Sequence, residues 1–187
     1  MKKTIAFFSI FYFLFSSFSF GQKEPPTPPS VPTDSATGLI TYSHKEETEP
    51  TLTSKELMAR ATKWYKKFYP NPTSVITKVD TVNMVIEGKA VFWTYKMLKG
   101  DVKATNLQIR YPFVMKFKQG KWKIEITGIT VVAASNLPIE KLLDPKSDNV
   151  VTNYSALTDA DTYFNNLLDD LKAAMKIPSV EVKKDDW

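Results

Sequence analysis

Carboxylates and hydroxyls are the main side chains of this sequence that could carry out catalysis, because it contains no Cys and only one His, His44. The lack of Cys excludes a thiol nucleophile, a Cys-ligated metal and a disulfide framework, and the single His excludes a metal site with several His ligands. Asp80, Glu87 and Glu125 would supply carboxylates for general acid–base chemistry, yet neither their spacing nor their neighbours select them. We therefore assign no catalytic, cofactor-binding or metal-binding residue from the sequence.

A second group of acids resembles a calcium-binding loop. Asp159 and Asp161 are followed by Asp170, but the position at which such a loop needs Gly holds Phe164. The same stretch carries apolar residues at helical spacing. Acidic residues are favoured near a helix N-terminus, so we interpret Asp159 and Asp161 as helix-start acids.

Exposed aromatic and cationic side chains point to binding instead. In a strand with a period of two, Trp93 and Tyr95 lie on the face opposite to Phe92 and Thr94. By parity we place Trp93, Tyr95, Arg110 and Lys123 on one open sheet face. Flat aromatic rings beside cationic donors suit an anionic or glycan-like ligand or a protein partner.

The alternative for this face is that it is merely solvated. The cationic residues of its two neighbouring strands would then only increase solubility, and these are Arg110, Lys116, Lys118, Lys121 and Lys123. A bulge at Gly88 would also reset the register and move Trp93 into the core. The sequence alone does not decide between these alternatives and a binding face.

The elements that must position these residues follow from hydrophobic periodicity. A capping box at Thr53 and Glu56 starts an amphipathic helix that ends after Phe68. Trp64 lies on the apolar stripe of this helix and is expected to face the predicted sheet. The cleanest strand alternates apolar and polar residues over 107–118, with a tight turn at Gln119-Gly120 after it. The other predicted strands are 38–43, 75–80, 84–95, 121–126 and 129–132.

The remaining segments read as loops and a final helix. We predict a loop over 97–105, and a long connection over 133–157 that contains one short helical turn ending at Leu143. Thr158 is the predicted cap of the last helix, and Pro178 ends it. The order β-α-β-β-β-β-α predicts an α+β fold in which helices cover one face of an antiparallel sheet.

The N-terminal segment has the pattern of a secretory signal peptide. Lys2 and Lys3 precede an apolar stretch, and Ser19 and Gly21 supply the small residues that a signal peptidase requires, so we expect a signal peptide over 1–21 and a mature chain from Gln22. The alternative is an uncleaved membrane anchor. Without residues 1–21, 23 basic and 20 acidic side chains give a net charge of +3, which is weak evidence for an anionic partner.

The expected organisation places a Pro-rich linker over 22–37, one α+β domain over 38–178 and a charged tail over 179–187. After cleavage we expect no transmembrane segment, and a location in the periplasm or cell envelope of a bacterium. Export removes nucleic acid as an expected partner.

The opening of this predicted domain resembles a known family. Gly38-x-Ile40-x-Tyr42, and then Ser54-Lys55-x-Leu57-x-x-Arg60-Ala61-x-x-Trp64, are similar to the start of a family of exported bacterial domains of unknown function with a TBP-like fold. The strands that end at Lys118-Gln119-Gly120-Lys121-Trp122 are similar to it as well. The sequence lacks the Gly expected in the first hairpin turn, where Asn83 is expected to adopt positive φ. The resemblance implies fold and compartment, and it does not imply DNA binding.

These observations favour a non-catalytic envelope protein that contacts a partner through the open sheet face. The expected partner is an unknown envelope protein, a glycan or a small ligand, and no cofactor is expected. The alternative is a small exported hydrolase or transferase with a carboxylate-based site that the sequence does not locate.

Overall fold

The computed structural model describes residues 26–180, so the predicted signal peptide, the expected start at Gln22 and residues 181–187 of the tail lie outside the described residues. Seven strands, three α-helices and one 3-10 turn follow one another along the chain. They are β1 (Tyr42–Glu47), α1 (Ser54–Phe68), α2 (Pro72–Val75), β2 (Ile76–Asp80), β3 (Val85–Leu98), β4 (Val102–Lys118), β5 (Lys121–Ile126), β6 (Thr130–Val131), β7 (Leu137–Pro138), the 3-10 turn (Ile139–Leu143) and α3 (Val150–Met175).

The strands form one antiparallel sheet in the order β1-β5-β4-β3-β2. The short β6 pairs with β4 beyond the end of β5, and β7 pairs with β6. The predicted α+β class and the β-α-β-β-β-β-α order of the main elements are therefore confirmed. The two-residue strands β6 and β7 add to the edge of the sheet.

The core lies between one face of the sheet and the helices α1 and α3. In β4 every second residue from Ile109 to Phe117 is buried, and β5 buries Trp122, Ile124 and Ile126, as the alternation predicts. Trp64 of α1 is also buried. Its ring packs on those of Phe68 and Tyr69, and the Tyr69 ring stacks over Phe113 of β4.

The predicted loop over 97–105 is wrong, because β3 and β4 continue there as a hairpin. Leu98 pairs with Val102, and the three-residue turn between them places Gly100 and Asp101 at positive φ. The alternation could not show this hairpin because β4 has a bulge where Trp93 pairs with Gln108 but Tyr95 pairs with Thr105. One extra residue in β4 breaks the period of two.

The start of the last helix is also earlier than predicted. α3 begins at Val150, and the Thr158 hydroxyl donates to the Tyr154 carbonyl over 3.0 Å inside the helix instead of capping it. The Tyr154 and Leu157 side chains are buried, so the first two turns of α3 pack against the core. Tertiary burial thus extends the helix beyond the cap-like Thr158. The predicted short helical turn ending at Leu143 is present.

The first strand lies later than predicted. Gly38 adopts a φ of +72° in a turn closed by Asp34, and Thr33 and Ile40 form an isolated bridge. β1 then runs from Tyr42 to Glu47, through residues that are mostly polar. This sequence pairs as a strand because its whole length lies beside β5.

None of the helices between residues 26 and 180 is both long enough and apolar enough to cross a membrane.

Candidate functional site

The sheet face opposite the helices carries the side chains that the sequence proposed for binding. Trp93 and Tyr95 of β3 point to this face and are 48% and 41% exposed. Val91, two residues before Trp93, is exposed beside them. Gly88 does not reset the register of β3, so Phe92 and Thr94 face the core.

The bulge in β4 fixes the aromatic pair in place. Thr94, fully buried, both accepts a hydrogen bond from the Leu107 N–H over 3.0 Å and donates one to the Leu107 carbonyl over 3.2 Å. The neighbouring Tyr95 N–H donates to the Asp159 carboxylate of α3 over 2.7 Å. These bonds satisfy backbone groups that the bulge removes from the ladder, so Trp93 and Tyr95 stay on the same face.

Arg110 lies next to the aromatic pair. It is directly opposite Val91 in the β3–β4 ladder, and Trp93 is its diagonal neighbour. Its guanidinium donates to the Asn136 side-chain oxygen over 2.9 Å, in the loop before β7. The other guanidinium N–H groups are left to solvent or to a ligand.

Lys123 lies on the same face but far from Trp93. Lys123 pairs with Lys116 and Trp93 pairs with Gln108, which places them eight residues apart along β4, or about 27 Å. The structure thus brings Trp93, Tyr95 and Arg110 together and leaves Lys123 at the other end of the face.

Lys123 belongs instead to a lysine patch on β1, β4 and β5. Lys45, Lys123 and Lys116 are directly opposite one another across three strands. A shallow cavity of about 410 Å³ is lined by these three lysines, by two further lysines and by Trp122. We define the lysine patch by its five members, Lys45, Lys116, Lys118, Lys121 and Lys123.

The charge of the lysine patch is poorly neutralised. Within residues 26–180, Lys45 is the one member that has an ion-pair partner, Glu47, at 3.7 Å. The sequence pattern does not place Lys45 in this patch, because it predicts a first strand that ends at Ser43. The parity of Lys45 with Ser43 in an extended strand is the signal that would have placed it on this face.

The three aspartates of the calcium-like pattern bind other elements of the fold. Besides the bond of Asp159 to β3, the Tyr42 hydroxyl of β1 donates to Asp161 over 2.9 Å and the Trp64 indole N–H of α1 donates to Asp170 over 2.8 Å. The interpretation of Asp159 and Asp161 as helix-start acids is wrong, because both lie inside α3. They attach this helix to β1 and β3.

Two of the three carboxylates considered for acid–base chemistry, Asp80 and Glu87, have structural partners as well. Asp80 accepts hydrogen bonds from the Asn83 side chain and from the N–H groups of Asn83 and Val82, which lower the pKa of its carboxyl to about 2. Lys78 lies between Asp80 and Glu87, at 3.5 and 3.7 Å. Positive φ in this turn falls on Met84 and not on the predicted Asn83, whose side chain closes the turn onto Asp80.

A chain of buried tyrosine hydroxyls crosses the core. Tyr111 contacts Tyr69 at 3.1 Å and Tyr163 at 2.8 Å between hydroxyl oxygens. Burial raises the pKa of all three, so they stay protonated and act as a hydrogen-bonded packing unit. Across residues 26–180, the structure contains no cluster of three or more His, Asp or Glu side chains suited to a metal ion.

Residues 46–131 match the model of a family described as a domain of unknown function (DUF4468) with TBP-like fold. This match confirms the resemblance to that family which the sequence motifs indicate. No curated protein matches the chain.

Two solved structures share this fold. A TBP-like protein from Parabacteroides distasonis is 16% identical, with 76% of this chain and 96% of that chain covered and a TM-score of 0.59. A DUF4468 family protein from Bacteroides ovatus is 15% identical, with 82% and 93% covered and a TM-score of 0.60. At this identity the likeness establishes the TBP-like fold alone.

The motif that carried the resemblance to this family joins α1 to α3. The Arg60 side chain, itself buried, donates to the Glu56 carboxylate and to the Met175 carbonyl, both over 2.8 Å. The Thr53 hydroxyl accepts the Glu56 N–H as the capping box predicts, but the Glu56 carboxylate binds Arg60 and Ser179 and does not return to Thr53. In this protein the motif is therefore structural, and Arg60 is not available for a ligand.

Proposed function

We propose that this protein is a non-catalytic binding module of the bacterial cell envelope, exported by the signal peptide, and that its open sheet face binds an extended acidic glycan. The observation that carries the proposal is the lysine patch, in which Lys45, Lys123 and Lys116 stand opposite one another across three strands. Like charges at directly opposed strand positions destabilise a sheet. A bound polyanion would remove that repulsion.

The rest of the open face supports a long ligand over a compact one. Along β4, Trp93 lies about 27 Å and Arg110 about 20 Å from Lys116 of the lysine patch, on the same uncovered face. An exposed indole offers a flat surface for a sugar ring, and Arg110 offers a second cationic contact. A single small anion would not reach both ends.

The experiment measures binding of polygalacturonate, an uronic-acid polymer, by isothermal titration calorimetry, with neutral dextran as the comparison ligand. The variant Lys116→Gln with Lys123→Gln removes two charges from the lysine patch. Its matched control is Lys63→Gln with Lys67→Gln, which removes two charges from exposed positions of α1. We expect the patch variant to weaken binding by about ten-fold or more and the control by less than about two-fold.

Three results would contradict the proposal. Equal losses in the two double variants would mean that only net charge matters. If dextran bound as strongly as polygalacturonate, charge would not determine binding. If polyglutamate bound more tightly than polygalacturonate, the partner would be an acidic protein. Binding should also weaken with added salt, because exposed charges are screened within about 10 Å at 0.1 M.

A further inference from the structure

The β3–β4 hairpin projects beyond the rest of the sheet. β2 pairs with β3 no further than Gly88, and on the other side of β4 the last strand pair joins Ile109 to Val131. Beyond the Tyr95–Thr105 pair the two strands pair only with each other. We define the hairpin tip as residues 95–103.

The hairpin tip exposes apolar side chains on both of its faces. Met97, on the same face as Tyr95, is 63% exposed. Leu98 and Val102 pair on the opposite face and are 47% and 54% exposed. A protein groove covers one face of a strand ribbon, whereas the interface of a lipid bilayer surrounds an inserted tip on every side. Exposure on both faces therefore favours a membrane as the partner.

The charges of the tip favour an anionic membrane. Lys96, Lys99 and Lys103 outnumber Asp101, so the tip carries a net charge of +2. Within the described part of the chain, none of the three lysines forms an ion pair. The Lys103 ammonium lies 4.1 Å from the centre of the Tyr95 ring. Lysines beside exposed apolar residues bind anionic headgroups while the apolar groups enter the acyl boundary.

Tyr95 lies at a matching depth behind the tip. Tyr95 is three residues from Leu98, or about 10 Å along the strand, and Trp93 is two residues further back. Interfacial helices insert to a depth of about 5–10 Å. With Leu98 at that depth, Tyr95 reaches the headgroup level, where Tyr and Trp are favoured.

We propose that the hairpin tip inserts into the interface of a bilayer rich in anionic phospholipid and holds the domain at a membrane surface. The lysine patch lies at the far end of β4, where Lys118 is sixteen residues, or roughly 50 Å, from Val102. It therefore stays clear of the membrane. This inference does not depend on glycan binding, and the two can fail separately.

The test exploits the absence of Cys from the sequence. A spin label is attached to a single Cys in the Leu98→Cys variant of the full chain, and its accessibility to a water-soluble relaxation agent is measured with vesicles. Vesicles of equal phosphatidylglycerol and phosphatidylcholine should lower that accessibility by about ten-fold, and pure phosphatidylcholine should lower it far less. The same label on the Lys118→Cys variant is the matched control. It should stay accessible even if residues 1–21 tether the chain to the vesicle.

The lysines of the hairpin tip are tested in a second variant. Adding Lys96→Gln, Lys99→Gln and Lys103→Gln to the labelled chain should restore accessibility at Leu98, and Val102→Cys provides the same readout from the opposite strand. A label at Leu98 that stays accessible with anionic vesicles overturns the proposal. So does a label that is immobilised by lipid-free envelope proteins but not by vesicles, which would make the tip a protein contact.

Discussion

The indole N–H of Trp64 in α1 donates to the Asp170 carboxylate in α3 over 2.8 Å, and together with the bond from Arg60 to the Met175 carbonyl it holds the two helices together on the sheet. Asp159 and Asp161 bind β3 and β1 from the same helix. These three acids of α3 thus serve the fold.

Truncation of Trp64 should destabilise the domain strongly. The side chain is buried and packs on Phe68 and Tyr69, so Trp64→Ala should lower the free energy of unfolding by about 3–5 kcal/mol. Trp64→Phe keeps most of the packing but removes the donor to Asp170, and its effect should be smaller. Urea denaturation measures both. A midpoint for Trp64→Ala equal to that of the wild type would contradict the packing of α1 on the sheet.

Gly88 should not tolerate a side chain. A Cβ at this position would lie 2.3 Å from the Cζ atom of Phe113, so Gly88→Ala should destabilise by about 1–3 kcal/mol. Replacing the ring relieves the clash. The double variant with Phe113→Leu should therefore be more stable than the sum of the two single effects predicts. Additive effects in thermal unfolding would mean that the contact is not the cause.

Acid should remove the stabilising contribution of Asp80. Hydrogen bonds from Asn83 and Val82 lower the pKa of this carboxyl to about 2 in the folded protein, against about 3.9 in an unfolded chain. A lowered pKa stabilises the fold above the unfolded value, and this contribution is lost as the pH falls from about 4 towards 2. Urea midpoints from pH 6 to pH 2 should show Asp80→Asn less stable than the wild type at pH 6, with the difference shrinking below pH 4. A constant difference would contradict this role.

The proposed export predicts a defined N-terminus. Ser19 and Gly21 stand at the positions that signal peptidase reads, so protein recovered from a bacterial envelope fraction should begin at Gln22. Intact-mass measurement checks this. Gly21→Lys places a large cation at the cleavage site and should leave residues 1–21 attached. A wild-type protein that retains them would instead be membrane-anchored.

Local patterns predicted the sheet better than they predicted its exceptions. The alternation over 107–118 holds wherever the chain buries one continuous face, as from Ile109 to Phe117. It fails towards residue 102 because a bulge opposite Thr94 adds one residue and the hairpin tip buries neither face. No residue type near Asn106 marks that bulge, which depends on the partner strand.

The candidate site was predictable only in part, for a related reason. The exposed face of Trp93 and Tyr95 followed from parity with their neighbours. Predicting the lysine patch would have required placing Lys45 in a strand. Lys45 lies in a polar stretch that becomes a strand only by pairing with β5. The partners of the α3 acids depend on contacts across roughly 60 to 120 residues of chain, which no local pattern records.

Adjacent aromatic residues of β3 should separate stability from binding. Phe92 faces the core and stacks on Tyr163 with ring centres 3.8 Å apart, so Phe92→Ala should destabilise by about 2–4 kcal/mol. Trp93 faces solvent, so Trp93→Ala combined with Arg110→Ala should change the free energy of unfolding by less than about 1 kcal/mol. The same double variant should bind polygalacturonate more weakly and recover fewer cross-linked partners from intact envelopes. Unchanged stability with unchanged partners would make this end of the face merely solvated, whereas a collapse of stability would mean that Trp93 belongs to the core.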